Sequence, residues 1–205
     1  MPKVKVKRKS TLIDMTAMSD VTVLLLTFFM LTSTFVQKEP VQVATPASVS
    51  EIKIPEINIL QILVDPQGKI FMSLDKQEDR VAVLEELSKE YNVNFTPEQV
   101  NKFKLINSFG VPIKQMPAFL DLPTDDQDRL LKDYGIPIDT TANPSNEFKA
   151  WVKAARAQNP DLRIAIKADQ ATPYPNIKNI MTSLQDIREN RYNLITTLKS
   201  VPAEN

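Results

Sequence analysis

The most regular feature of the hydrophobic pattern is an uninterrupted apolar run over residues 21–36, which contains no charged side chain. A helix of that length rises about 24 Å, less than the roughly 30 Å of a bilayer's hydrocarbon core. Lys38 closes the carboxyl side of the run, so a spanning helix has to begin earlier in the sequence. The pattern therefore predicts a transmembrane helix over residues 12–36, and this helix places Asp20 inside the membrane.

Asp20 is the candidate functional residue of that helix. An ionised Asp at the centre of a spanning helix costs about 2.5–3.5 kcal/mol, so it has to face protein or water. Desolvation favours the neutral form, and the nearest basic residue in the sequence is Lys9, so no cation of the same helix can pair with it. We therefore expect Asp20 to carry a proton reversibly. The alternative is a structural ion pair between Asp20 and a basic residue of a partner helix.

Three threonines share a helix face with Asp20, because their spacings of four and seven residues match the helical repeat. They are Thr16, Thr27 and Thr34. Their hydroxyl groups are predicted to line the proton site, where they can hydrogen-bond the carboxyl group or order water. The alternative is that these hydroxyls bond to carbonyl groups of their own helix.

The basic residues indicate the orientation of the helix. Five of them precede it and one closely follows it, and an excess of Lys and Arg is typical of the cytoplasmic side. The sequence therefore predicts a basic cytoplasmic arm over residues 1–11 and places the rest of the chain, beyond the helix, on the far side of the membrane. A cleaved signal peptide is the competing interpretation, although an Asp at the start of the apolar run is unusual in such peptides. The basic residues concerned are Lys3, Lys5, Lys7, Arg8, Lys9 and Lys38.

Beyond the helix, the pattern first becomes irregular and then globular. Residues 37–57 contain three prolines and no glycine, which predicts an extended linker; the family resemblance given below implies that it is periplasmic. Short alternating stretches within it also fit strands that pair with another chain. Farther on, apolar alternation on both sides of a Pro-Gly turn at residues 65–68 predicts a β-hairpin. The pattern predicts a small α+β domain over residues 58–200, with a largely helical insertion at about 76–145.

Composition argues against ordinary enzyme chemistry. The chain has 25 basic and 25 acidic residues, no Cys, no His and three Gly. The chain therefore lacks the residues for a thiolate metal site, a histidine base or a phosphate-binding glycine loop. Its balanced charge does not indicate nucleic-acid binding. Asp125, Asp126 and Asp128 lack the Gly and distal Glu of a calcium loop, and the helix macrodipole explains acids in a first turn. We expect no enzymatic activity, no metal and no cofactor, and Trp151 is expected in the core.

Two motifs resemble the ExbD/TolR family. The first is Ile-Asp-Met-Thr-Ala-Met-Ser-Asp-Val at residues 13–21, which leads into a leucine-rich span ending in Phe-Phe-Met. The second is the strand–Asp–Tyr–helix element that contains Asp169 and Tyr174. The chain departs from the family pattern at Ala17, where the family usually has Pro, and in the long insertion, which we interpret as an added surface for partner binding or dimer stabilisation.

The resemblance implies a single N-terminal transmembrane α-helix followed by a small α+β periplasmic domain, anchored in the bacterial inner membrane. It implies an ExbB-like pentameric ring, a second ExbD-like chain (homo- or heterodimer) and a TonB-like protein as partners. In this family the aspartate corresponding to Asp20 alternates between protonated and ionised as protons cross the membrane, and this energises TonB-dependent outer-membrane transport. A TolR-type subunit of the Tol-Pal envelope system, with peptidoglycan binding, and a passive membrane scaffold are the alternatives.

Overall fold

The computed structural model describes residues 15–33, 43–48, 57–138 and 146–198. The chain divides into two compact units, residues 1–37 and residues 38–205. The first contains helix α1 (Met15–Thr32), which has 18 residues and a mean hydropathy of 1.6. By length and composition this helix is able to cross a membrane. The predicted span was longer, and its ends at residues 12–14 and 34–36 lie outside the described residues.

The second unit is a mixed α/β domain, which agrees with the predicted α+β class. Its five-stranded sheet has the order β4-β3-β2-β5-β6, and strands β1 and β7 form a separate two-stranded pair. In chain order the elements are β1 (Ala47–Ser48), β2 (Ile59–Val64), β3 (Ile70–Leu74), α2 (Gln77–Tyr91), α3 (Pro97–Leu105), β4 (Ser108–Phe109), α4 (Met116–Asp121), α5 (Thr124–Leu130), a 3-10 turn (Leu131–Asp133), α6 (Glu147–Gln158), β5 (Arg163–Ala168), α7 (Tyr174–Asp186), β6 (Tyr192–Leu194) and β7 (Thr197–Leu198).

The predicted hairpin is present as the antiparallel pair β2 and β3, joined by the turn at residues 65–68. The Gly68 amide donates to the Asp65 carbonyl oxygen at 3.0 Å, and the Lys69 amide donates to Asp65 Oδ1 at 2.7 Å. Gly68 has a φ of 84°, a conformation that favours glycine. A Cβ placed there would lie 2.0 Å from Nδ2 of Asn176 in α7. The turn is therefore packed directly against that helix.

Parallel pairing builds the other half of the sheet. Strand β5 pairs parallel with both β2 and β6, and α7 is the connection between β5 and β6. The two faces of β2 and β5 are mostly buried, as expected for parallel strands covered by helices. Trp151 of α6 is 1% exposed, and its ring centroid lies 4.5 Å from that of Phe109 and 6.2 Å from that of Phe103. The prediction of a core role for Trp151 is confirmed.

The described part of the predicted insertion, residues 76–138, is largely helical, as predicted, but it also contains a strand. Thr96 forms a complete capping box with Gln99 at the start of α3, which agrees with the predicted helix start. Strand β4 was not predicted; it pairs antiparallel with β3, with Phe109 opposite Met72. The Ile136 amide also donates to the carbonyl oxygen of Ile70, in β3, at 2.9 Å. The insertion therefore extends the edge of the domain's own sheet rather than standing apart from it.

Part of the predicted linker is bound to the domain. Of residues 37–57 the structure describes 43–48 and residue 57. Val43 packs against the hydrophobic core, and β1 pairs parallel with β7, with Ala47 opposite Thr197. The remaining linker residues lie outside the described part of the chain.

Candidate functional site

Asp20 lies in the second turn of α1 and its side chain is exposed. It is the only ionisable side chain within residues 15–33. The large apolar side chains around it are 49% to 86% exposed, which is far more apolar surface than a soluble helix presents to water. A helix of this kind requires lipid or another protein around it. A carboxylate in such a belt has to face water or a polar partner.

Thr16 and Thr27 of α1 keep the helical spacing to Asp20 that the sequence predicts. Some threonine hydroxyl groups of this helix donate to carbonyl oxygens of the same helix. Thr27 Oγ1 donates to the carbonyl oxygen of Leu24 at 2.9 Å. Thr22 behaves in the same way and donates to the Met18 carbonyl oxygen at 2.7 Å. The Thr27 hydroxyl proton is therefore used within the helix, while its oxygen can still accept a hydrogen bond. Thr16 lies one turn before Asp20, and Thr34 lies outside the described residues.

Asp169, from the second motif, ties residues 43–48 at the start of the domain to the end of β5. Its carboxyl group is largely buried; Oδ2 accepts the Ala44 amide and Oδ1 accepts the Ala171 amide, both at 2.8 Å. The Gln170 amide donates to the Ala44 carbonyl oxygen at 2.8 Å. The amide and the carbonyl oxygen of Ala44 are thus hydrogen-bonded by two consecutive residues, Asp169 and Gln170. Asp169 is therefore a fastening point for residues 43–48.

Tyr174, the other residue of the second motif, has a different environment. It is the first residue of α7, and its side chain is 69% exposed. Asp169 is satisfied by backbone amides of its own chain, whereas Tyr174 presents an aromatic ring to the surroundings. The motif therefore contains one residue that fastens the fold and one that is available for contact.

Two buried charged residues of the insertion boundary were not predicted. Glu147 is 7% exposed, and its Oε1 accepts the Ile113 amide at 2.6 Å and Trp151 Nε1 at 3.3 Å. Desolvation raises the pKa of Glu147, and the two hydrogen bonds and Lys114 offset this only in part. As an acid in the first turn of a helix, Glu147 looks in the sequence like an ordinary macrodipole residue. No local sequence pattern indicates that its hydrogen-bond partner Ile113 lies 34 positions away.

Arg80 is the second of these residues and is 4% exposed. Its guanidinium group donates to the carbonyl oxygens of Lys104, Ile106 and Asp75. Burial lowers the pKa of Arg80, with Asp75 acting in the opposite direction. These contacts attach the end of α3 to the start of α2, so Arg80 is a structural residue of the insertion.

Within the described residues, no three His, Cys, Asp or Glu side chains are close enough together to hold a metal ion. Asp125 and Asp126 lie in the first turn of α5, where the macrodipole accounts for them.

An apolar helix that is able, by length and composition, to cross a membrane is followed in the chain by a folded α/β domain, an arrangement typical of membrane-anchored proteins. The sequence matches the family model for "Biopolymer transport protein ExbD/TolR" over residues 6–199. The chain therefore belongs to the ExbD/TolR family, and family and helix together indicate a single-pass inner-membrane protein that takes part in biopolymer transport. The family implies membrane-complex partners of the ExbB/TonB kind. No curated protein and no solved structure matches the chain.

Proposed function

We propose that the protein is the proton-transducing subunit of an ExbB-ExbD-type inner-membrane motor, and that Asp20 is the group that takes up and releases the proton. Family membership supports the transport role. The observation that carries the proton role is a lone carboxyl group on an apolar helix whose side chains are exposed along its length. Neutral Asp20 is compatible with apolar or threonine-lined surroundings, whereas ionised Asp20 has to contact water or a donor. This difference is able to bias a motion.

The available energy is sufficient for a mechanical step. One elementary charge that crosses 100 mV releases about 2.3 kcal/mol, so several protons per stroke supply more than thermal energy. In this proposal α1 lies within an ExbB-like pentameric ring, beside the α1 of a second ExbD-like chain. The amino terminus is cytoplasmic, the α/β domain is periplasmic, and a TonB-like protein receives the motion.

Asp169 supplies a route by which motion reaches the domain. Residues 43–48 are the described part of the domain that is nearest in sequence to α1, and they are fastened to the end of β5 through Asp169. A pull along the chain from α1 is therefore delivered to an interior strand of the sheet, because β5 pairs with both β2 and β6.

A TolR-type role is the second candidate. Exposed basic side chains on and after α7 are available to an acidic cell-wall polymer; they are Lys178, Arg188 and Arg191. Co-purification distinguishes the two roles, because a TonB-like partner indicates the import motor and a TolA-like partner indicates the envelope system.

Asp20→Asn tests the proton role. We expect the variant to assemble with its ring subunits and to support no energised transport, because Asn has the size of Asp but does not exchange a proton in this way. Thr22→Val is the matched control in the same helix, since the Thr22 hydroxyl bonds only its own turn in the contacts described; it should assemble and transport normally. Loss of assembly in Asp20→Asn would support the passive scaffold, and full transport would disprove the proposal.

A further inference from the structure

Asp20 divides α1 into two parts of unequal length. The helix runs from Met15 to Thr32, so at 1.5 Å per residue Asp20 lies about 7.5 Å from its amino end and about 18 Å from its carboxyl end. A proton that arrives from the membrane side at the carboxyl end of α1 (the carboxyl side) therefore passes about 0.7 of the helix length to reach Asp20. A proton that leaves at the amino end passes the remaining 0.3 or so.

The longer part of α1 is almost entirely apolar. Over residues 21–31 every side chain is apolar except those of Thr22 and Thr27. The large apolar side chains of this part are exposed, so in the membrane they face lipid or another subunit. Surroundings of this kind have a low dielectric constant, and a potential across the membrane therefore falls along them.

The threonines of this part do not form a continuous hydrogen-bonded path. Thr22, Thr27 and Thr32 follow at intervals of five residues, which separates neighbours by about 7.5 Å along the helix axis and about 140° around it. Each hydroxyl group donates to a carbonyl oxygen three or four positions earlier in α1, at 2.7, 2.9 and 2.8 Å respectively. Neighbouring hydroxyl oxygens are thus too far apart for a direct hydrogen bond. The longer part of α1 therefore separates Asp20 electrically from the carboxyl side.

The shorter part of α1 is more polar. Of the five residues between the start of the helix and Asp20, Thr16 and Ser19 carry hydroxyl groups. Thr16 lies one turn before Asp20 on the same helix face. Asp20 is also the only ionisable side chain within residues 15–33, so no other fixed charge of this segment changes the potential along it.

We propose that the membrane potential acts mainly on the step in which a proton reaches Asp20 from the carboxyl side, and much less on the step in which the proton leaves at the amino end. This inference rests on the proposed function and adds how its proton site is regulated. A potential of 100 mV across the whole membrane is equivalent to about a 50-fold change in proton concentration. About 0.7 of that potential, positive on the carboxyl side, is equivalent to about a 15-fold increase at Asp20. The potential therefore controls chiefly the loading of the site.

Carboxyl labelling tests this proposal on the full-length chain, assembled with its ring subunits in proteoliposomes. A hydrophobic carbodiimide modifies protonated carboxyl groups, and peptide mass spectrometry measures the adduct on Asp20. The proton concentration on the carboxyl side that gives half-maximal labelling is compared without a potential and with about 100 mV, positive on that side. We expect this concentration to fall about 15-fold when the potential is applied.

Two double variants move the carboxyl group along the same helix face. Thr27 lies about 18 Å from the amino end and about 7.5 Å from the carboxyl end, which is the mirror image of Asp20. In Asp20→Asn/Thr27→Asp the shift should therefore shrink to about threefold. In Asp20→Asn/Thr16→Asp it should grow to about 40-fold, because Thr16 lies at the amino end. The second variant decides the question if a carboxyl group at residue 27 prevents membrane insertion.

The possible failures separate this inference from the proposed function. Equal shifts at the positions compared, a shift at residue 16 smaller than at residue 20, or a shift at residue 27 larger than at residue 20 would overturn the inference. A wild-type shift of threefold or less, or one of opposite sign, would also overturn it. Labelling of Asp20 that does not depend on proton concentration, or energised transport by Asp20→Asn alone, would instead disprove the proton role itself.

Discussion

Asp20 and Glu147 are both acids in apolar surroundings, but they differ in where their partners come from. Glu147 is buried in the domain and accepts two N–H groups of its own chain. Asp20 is exposed on a helix whose apolar side chains are also exposed, so its environment has to come from lipid and other subunits. The fold surrounds Glu147 with partners of its own chain, whereas in the proposed function the partners of Asp20 come from the assembly. Variants at the two positions should therefore affect different measurements.

Energised transport should show the largest difference between variants at the two positions. Asp20→Asn should reduce energised transport to background. It should change the free energy of unfolding of the domain by less than about 0.5 kcal/mol, because Asp20 belongs to the other compact unit of the chain. Denaturation followed by the fluorescence of Trp151, the chain's single tryptophan, measures the second quantity. A destabilised domain in Asp20→Asn would show that the two regions are not independent.

Asp169→Ala should have the next largest effect, this time on stability. It leaves the Ala44 and Ala171 amides without their carboxylate acceptors, which costs about 1–3 kcal/mol. Amide exchange at residues 43–48 should increase, while exchange in α3 stays the same. Tyr174→Ala is the control in the same motif, because its exposed ring is expected to contribute little to unfolding. Equal exchange at residues 43–48 in wild type and Asp169→Ala would contradict the fastening role.

Titration of Glu147 should have a smaller effect, which is measured as the pH dependence of the free energy of unfolding. The pKa of Glu147 is raised in the folded state, so the folded chain holds this proton more tightly than the unfolded chain does. Its stabilising contribution is complete below about pH 4.5 and is lost as the pH rises through the raised pKa. The free energy of unfolding should therefore fall by about 1.4 kcal/mol for each unit of pKa difference. Denaturant titrations of wild type and Glu147→Gln at several pH values measure this slope; equal slopes would exclude Glu147 as its source.

Thr27→Val should have the smallest effect. Because the Thr27 hydroxyl donates to the Leu24 carbonyl oxygen, its loss should change helix stability by less than about 0.5 kcal/mol and leave transport near the wild-type rate. Thr27→Ser, which keeps a hydroxyl group, is the control. If Thr27→Val abolishes transport and Thr27→Ser restores it, the hydroxyl group acts in proton transfer and the prediction that it lines the proton site gains support.

The sequence predicted features whose signal is local. The hairpin, the Thr96 helix start and the core position of Trp151 follow from spacing and turn chemistry over a few residues, and the charge of Asp20 beside an apolar run is visible without a structure. Strand β4 was missed because two residues carry no periodic pattern. Contacts between distant positions were also missed, since the pairing of Asp169 with Ala44 spans 125 positions and that of Glu147 with Ile113 spans 34.

The close packing of Gly68 on Asn176 limits which residue the hairpin tip can hold. Any larger side chain at residue 68 would meet both an unfavourable backbone angle and an atom 2.0 Å away. The turn between β2 and β3 therefore depends on glycine at residue 68, because a Cβ there would displace the Asn176 side chain of α7. Contact between the hairpin tip and the start of α7 is thus set by the smallest side chain available.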